Sequence, residues 1–451
     1  MKPPIVDKLP EFRFPETETL SLSNGTPVYL VEDTTQPVVS LRLTVRLGAA
    51  QEPIPGLCSL TAQLLTKGTE KRSAVQIADE VEFMGASLNC SGSWDETSLS
   101  VHCLDGHLGN MLEIMADCFC SSVIADDELE RSRKKNISAV LQDQSDPGYL
   151  SSVSFTMKYF EGHPYGHPLS GTPDSLALIA RDNCLNWYER LKKSRLAFFA
   201  AGNFDKKQLL DDLENLFVRR LPAQATDGAD TNIVEKRPKG ISIVALDKPD
   251  SQQSSLRIAF PVPGRSHPDY PLIQLVNTVY GGFFLSRLNS LLREKLGYTY
   301  GVGSSINSRL LGTYLSVSTK INDTVTKDSI DKTLDELRRI SLYPIEKEEH
   351  NRAVQYITGS FVRSIETPQQ IGNFLYILDL SGLPPDYYNE YYRRLSQSQP
   401  DEILAVQKNH FLPESVLISI VGNFANFIDD VSKLGPTEKF STIEDMYKKY
   451  V

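Results

Sequence analysis

Hydrophobic and polar positions alternate with period two over Val39 to Leu47. Val39, Leu41, Leu43, Val45 and Leu47 are interleaved with Ser40, Arg42, Thr44 and Arg46, which predicts a half-buried strand. Leu99, Val101 and Cys103 alternate in the same way with Ser98, Ser100 and His102. Between these runs the period changes to that of a helix. Ser73 and Gln76 form a capping box, and Ile77, Val81 and Met84 mark one face of a helix that stops at Gly85. Upstream, Leu57, Leu60, Leu64 and Leu65 fall at helical spacing and predict another buried face. Ser59 and Gln63, four apart, share a different face of that helix, with Ala62 beside them. Alternating strands imply antiparallel sheets with one face open or covered by helices. Strands followed by helices, then strands and helices again, predict an α+β layer fold.

The pattern is written twice. Ser40-Leu41-Arg42-Leu43 recurs as Ser255-Leu256-Arg257-Ile258, an offset of 215. Thr97 to Val101 recurs as Thr313 to Val317, an offset of 216, and Gly202-Asn203-Phe204 recurs as Gly422-Asn423-Phe424, an offset of 220. Gly85 and Gly297 add a landmark at 212. Each match is weak alone, but their shared order predicts a duplicated α+β sandwich domain. Leu221 to Gly240, rich in Pro, Gly and Asp, reads as the linker. The expected organisation is therefore 1–220, a linker at 221–240, and 241–451.

At 451 residues the chain is too long for one core. Its net charge of −10 argues against nucleic acid or an anionic membrane surface as partner. No segment is long and apolar enough to span a bilayer. Met1 to Asp7 contains no apolar signal core, which points to a cytoplasmic location or a processed periplasmic form. The six cysteines lie in the first half without a Cys-x-x-Cys pair and among apolar neighbours, so buried free thiols are expected.

The segment Gly56 to Thr69 resembles the zinc helix of the insulinase, pitrilysin and mitochondrial-processing-peptidase family. The resemblance runs from about Leu20 to about Phe427. In that family the helix carries His-x-x-Glu-His, with two zinc ligands and a general base. On this chain the His positions are Ser59 and Gln63 and the Glu position is Ala62. A hydroxyl and an amide are poor zinc ligands, and a methyl group cannot move a proton. The family's third ligand, a Glu on a later helix, is matched by Asn136 to Leu141, where no carboxylate occurs. The resemblance thus implies a chain with no metal of its own, built of two similar α+β halves joined by a linker, and a pair of such two-domain units that close like a clam over a peptide chamber.

Ser286 to Gly301 closely resembles the family's Ser-Arg-Leu, Leu-Arg-Glu-Lys, Gly-x-x-Tyr stretch, in which an Arg and a Tyr seven apart bind substrate backbone. Here those residues are Arg293 and Tyr300. Arg293 would end a helix bearing Leu288, Leu291 and Leu292, Gly297 would permit the turn, and Tyr300 would lie on the next strand. The two side chains could then converge on one carbonyl oxygen. The alternative is that Arg293 pairs with a carboxylate and Tyr300 is core, while Arg287 packs structurally.

Gly85 to Asn89 resembles the family's Gly-x-x-x-Asn edge strand, implying that Asn89 holds substrate by strand addition. With the zinc ligands gone, Asn89 could instead satisfy local backbone. Pro164 and Pro168 exclude a helical metal pair at His163 and His167, and the turn reads as structural. His350 reads as part of a solvated charged face.

The leading expectation is a non-catalytic subunit of a heteromeric zinc peptidase. A homologous partner would supply zinc and base, and this chain would supply Arg293, Tyr300 and half of a chamber for oligopeptides. An inert scaffold of the same fold is the rival, and a homodimer is the alternative assembly for the isolated chain. An independent peptidase finds no nucleophile motif or second metal cluster.

Overall fold

The computed structural model describes residues 11–222 and 240–451. Most of the expected linker therefore lies outside the described residues. The first half builds a six-stranded sheet from β1 (Glu18–Ser21), β2 (Pro27–Glu32), β3 (Val38–Val45), β4 (Ser87–Gly92), β5 (Thr97–Leu104) and β6 (Leu196–Gly202), in the order β1-β2-β6-β3-β5-β4. The second half builds another from β7 (Gly240–Asp247), β8 (Gln253–Pro261), β9 (Val302–Arg309), β10 (Gly312–Asn322), β11 (Ser415–Gly422) and β12 (Thr437–Phe440), in the order β12-β7-β11-β8-β10-β9. β2, β6, β3, β5 and β4 correspond to β7, β11, β8, β10 and β9. The outer strands differ: β1 pairs antiparallel with β2, whereas β12 joins β7 in parallel.

Both sheets are mixed rather than antiparallel throughout, because β2–β6 and β7–β11 are parallel. The strand returning from the helices enters the middle of each sheet, a placement that local alternation cannot signal. Leu41 pairs with Ala200 and Leu256 with Ile420, as the repeat offsets require. Leu41 pairs with Val101, however, and Leu256 with Thr319. The Thr97 and Thr313 segments therefore occupy corresponding strands with a two-residue slip, which keeps each side chain on its own face.

The helices beside the first sheet begin with α1 (Leu57–Leu64) and α2 (Ala74–Phe83), followed by α3 (Leu108–Cys120), α4 (Asp126–Asp143) and α5 (Pro147–Tyr159). The α2 capping box forms as expected: the Ser73 amide donates to Gln76 Oε1 at 2.8 Å and the Gln76 amide to Ser73 Oγ at 3.3 Å. Gly85 (φ 61°) and Gly297 (φ 66°) end their helices in the left-handed conformation and lead into the corresponding edge strands β4 and β9. All six cysteines are free thiols. Among the described residues no helix is long and apolar enough to cross a membrane.

The polar faces of the central strands are buried too, because each half covers the other's sheet. Helix Pro368–Ser381, from the second half, packs on β3 and β6. There Ile371, Leu375 and Leu378 join Val31, Phe199 and Ala201 in one cluster. Reciprocally, α5 packs on β8 and β11, where Ser419 Oγ donates to the Ser151 carbonyl at 3.1 Å. Small residues at these contacts let helix and sheet approach closely.

Asp379 fastens the first of these contacts. Arg195 grips its carboxylate bidentately at 2.7 and 2.9 Å, Tyr29 OH donates at 2.8 Å, and Arg46 donates to its carbonyl at 2.7 Å. Burial pushes the Asp379 carboxyl up, but the Arg195 hydrogen bonds and the two guanidinium charges outweigh it, so its pKa falls below the usual value. Asp379→Asn is expected to destabilise the protein by roughly 3–5 kcal/mol near neutral pH, because it strands two half-buried cations. A lowered folded pKa gives stability that is present above the unfolded value of about 3.9 and lost as pH falls through the folded one. Urea unfolding should therefore show the gap between wild type and variant shrinking below about pH 4.

Candidate functional site

The α1 helix folds as its apolar spacing predicts: Leu57, Leu60, Leu64 and Leu65 are buried, together with Cys58, Thr61 and Ala62. Glu52 starts the helix, its carboxylate accepting from the Gly56 amide at 2.8 Å and the Cys58 amide at 2.6 Å. Burial pushes the Glu52 carboxyl up to about 8 against those two amide bonds, and His167 Nδ1 lies 3.6 Å away. The edge strand β4 presses on the same helix. A Cβ on Gly92 would meet Cys58 Sγ at 2.6 Å, so only glycine fits this approach.

Ser59 and Gln63 reach a cleft of about 480 Å³ between α1, α4 and α5. Ser59 Oγ donates to the Leu169 carbonyl at 3.1 Å. Gln63 Oε1 accepts from Asn136 Nδ2 of α4 at 3.1 Å. Asn136, the first residue of the segment matched to the third-ligand helix, thus faces the second His position directly. Ala62 is fully buried and does not line the cleft. Zinc does not fit this set: a hydroxyl, two amides and a methyl offer neither a strong ligand nor a base. This one hydrogen bond joins α1 to α4.

One wall of the cleft comes from the second half, through a residue that sequence reasoning missed. The β9–β10 turn docks against the His163–Tyr165 turn, where His163 Nε2 meets the Leu311 carbonyl at 3.2 Å and the Leu311 amide donates to Tyr165 OH at 3.1 Å. Asp95 accepts from Tyr165 OH and from the Leu310 amide. This docking carries Arg309 over Trp94 at 5.0 Å and into the cleft. Arg309 Nη1 is buried without a hydrogen-bond partner among the described residues. Nothing local in the sequence marks Arg309, because its role depends on the packing of the two halves.

Arg293 and Tyr300 lie elsewhere. Neither lines the Ser59–Gln63 cleft. Arg293 sits on a π-helical turn, Asn289–Lys295, of a kind that often marks functional sites. Its guanidinium lies 4.5 Å from the centre of the Phe284 ring, and its Nε is 3.5 Å from Glu294. Tyr300 is not on a strand, since β9 begins at Val302, and it is not core, being 95% exposed. Its neighbours are anchored: Tyr298 OH donates to Asp328 at 2.9 Å, and Thr299 Oγ1 donates to the Lys320 carbonyl at 2.8 Å. The chain thus holds the Tyr300 phenol out into solvent.

Asn89 is exposed on β4, whose outer edge is unpaired, and among the described residues its side chain makes no hydrogen bond. It does not satisfy local backbone. Arg287 packs structurally, as read, gripping Glu349 at 2.7 and 2.9 Å. His350 differs from the expected solvated face: it is half-buried, meets Ser398 Oγ at 2.9 Å, and burial lowers its pKa.

Comparison with known proteins matches residues 27–172 to the family described as Insulinase (Peptidase family M16) and residues 179–357 to the Peptidase M16 inactive domain. A relative from Mycobacterium leprae, named an uncharacterized zinc protease, is 26% identical over 271 residues, 59% of this chain and 61% of that protein. The match thus spans less than two thirds of that relative. Cytochrome b-c1 complex subunit 1 of Bos taurus mitochondria is 25% identical over 303 residues, 66% of this chain and 59% of that protein. The crystal structure of a peptidase M16 inactive domain from Pseudomonas fluorescens superposes with a TM-score of 0.82 at 23% identity, covering 90% of this chain and 98% of that one. This last likeness shows the fold.

Metal analysis of the purified chain is expected to find no zinc that depends on the α1 face, so Gln63→Ala should leave metal content unchanged. Zinc at about one per chain, lost in that variant, would falsify this. Combining Ser59→His, Gln63→His and Asn136→Glu should instead create a zinc-binding set at the same place.

Proposed function

Because the chain belongs to the insulinase-type M16 peptidase family yet carries neutral side chains where that family binds zinc, we propose that it is a non-catalytic subunit of a heteromeric zinc peptidase. A homologous partner with an intact His-x-x-Glu-His supplies the zinc and the base. This chain supplies half of the chamber and the Arg293–Tyr300 pair. Oligopeptides or unfolded segments are the substrate class.

The observation that carries this reading is the placement of Tyr300. Its phenol is 95% exposed, is flanked by anchored neighbours, and does not reach the chain's own cleft. A phenol held out into solvent, on the chain segment that follows a half-exposed guanidinium, is suited to a carbonyl oxygen presented by another molecule. Two such donors stabilise the negative charge that grows on that oxygen during attack, and one donor is typically worth ~10²–10³ in rate.

The second reading, an inert structural subunit, is favoured by the relationship to cytochrome b-c1 complex subunit 1. It leaves the anchored, outward phenol without a task. Kinetics separate the two. The chain alone should hydrolyse no fluorogenic peptide, while a mixture with the zinc-bearing homologue should. Tyr300→Phe keeps the ring, so folding and association should survive while turnover falls by about 10² or more. The turnover rate should drop more than the Michaelis constant rises, because the donor acts in the transition state. Unchanged turnover in both Tyr300→Phe and Arg293→Ala would leave the structural reading. A homodimer that hydrolyses peptide unaided would overturn both.

A further inference from the structure

Away from the cleft, the second half brings together three side chains that the proposed function does not use. His267 and Asp269 lie in the segment leading into helix Tyr270–Asn277, and His410 ends helix Pro400–His410. His410 Nε2 lies 2.9 Å from Asp269 Oδ2, and His267 Nδ1 lies 4.0 Å from the same oxygen. The two imidazole rings are 5.3 Å apart at 80°. One donor atom from each of the three residues falls within 4.8 Å of the others. Among the described residues this is the grouping of three His, Cys, Asp or Glu side chains close enough to share an ion.

One hydrogen bond explains only part of this arrangement. His410 Nε2, at a helix C-terminus, lies 2.9 Å from Asp269 Oδ2 and satisfies that pair. That account leaves out His267, whose ring is fixed toward the same carboxylate. The Asp269 amide donates to His267 Nδ1 at 3.1 Å, and the backbone turns tightly, with the His267 amide donating to the Gly264 carbonyl at 3.0 Å. Pro268 between the two ligands restricts the loop further.

We propose that His267, Asp269 and His410 bind one divalent transition-metal ion of the zinc class. Metal–ligand bonds of about 2.0–2.2 Å place tetrahedral donors roughly 3.3–3.5 Å apart. The observed 2.9 and 4.0 Å bracket that spacing and all three donors lie within 4.8 Å of one another, so ring shifts on the order of an ångström complete the set. Two imidazoles and one carboxylate select zinc, cobalt, nickel or copper over magnesium and calcium, which prefer all-oxygen shells. Binding through His267 Nδ1 exchanges one amide contact for the ion. The His267 side chain is 40% exposed, which leaves an entry path and a fourth position for water. The ion would tie the end of one helix to the start of its packed neighbour and so stabilise the second half. It is independent of the α1 face, where no ligand set exists.

The test is titration of the metal-stripped full-length chain with cobalt, whose visible absorption reports coordination geometry, followed by zinc competition and thermal unfolding. One ion per chain is expected, with His267→Ala and His410→Gln each weakening binding by about 10–100-fold or more. Gln63→Ala should bind as wild type does. Metal should raise the midpoint of wild type but not of His267→Ala, each compared with its own metal-free midpoint. Absence of binding at about 1 mM metal, or equal affinity in wild type and both His variants, would overturn the proposal.

Discussion

Each half of this molecule completes its core with a helix from the other half, and Asp379 is the polar lock of that exchange. A carboxylate with only 4% of its side chain exposed would be strongly disfavoured alone. Here it is held by one bidentate arginine, a second arginine and a tyrosine, and these partners come from three strands or strand ends of the opposite half. These bonds seat helix Pro368–Ser381 on the first sheet. With that seating fixed, the β9–β10 turn reaches the His163–Tyr165 turn, and Arg309 enters the cleft beside α1.

Beside the same cleft, one hydrogen bond between Gln63 and Asn136 joins α1 to α4. A neutral amide pair at a cleft wall needs no deprotonated ligand and no ion to hold two helices in relation. The cleft persists as a shape, now bordered by a partly unsatisfied guanidinium. The second half holds the Tyr300 phenol exposed between anchored neighbours, and carries Arg293 on the π-helical turn that precedes it.

Features written locally were legible in the sequence. The capping box at Ser73, the glycine stops at Gly85 and Gly297, and the buried leucine face of α1 each depend on residues within a turn or two of one another, and each is found as read. The duplicated strands were legible as well, although a two-residue slip between Thr97 and Thr313 shows that sequence offsets do not set register. What escaped was written at long range. Alternation around Ser40 and Thr44 predicts a strand whose polar face is open or helix-covered, but not that the cover is a helix more than 300 positions away, under which both residues are buried. Tyr300 looked like a strand residue because the strand begins only two positions later. Arg309 and the His267–Asp269–His410 group carry no local signal at all, since folding alone brings their partners together.

The central claim is that the Arg293–Tyr300 corner serves an active site on another chain. A photo-reactive amino acid placed at position 300 tests it most directly, in the complex with a zinc-bearing homologue. The account predicts cross-links from position 300 to the partner's zinc helix or to peptide bound there. Cross-links confined to this chain, or to partner surfaces remote from its zinc, in a complex that forms and hydrolyses peptide normally, would contradict it.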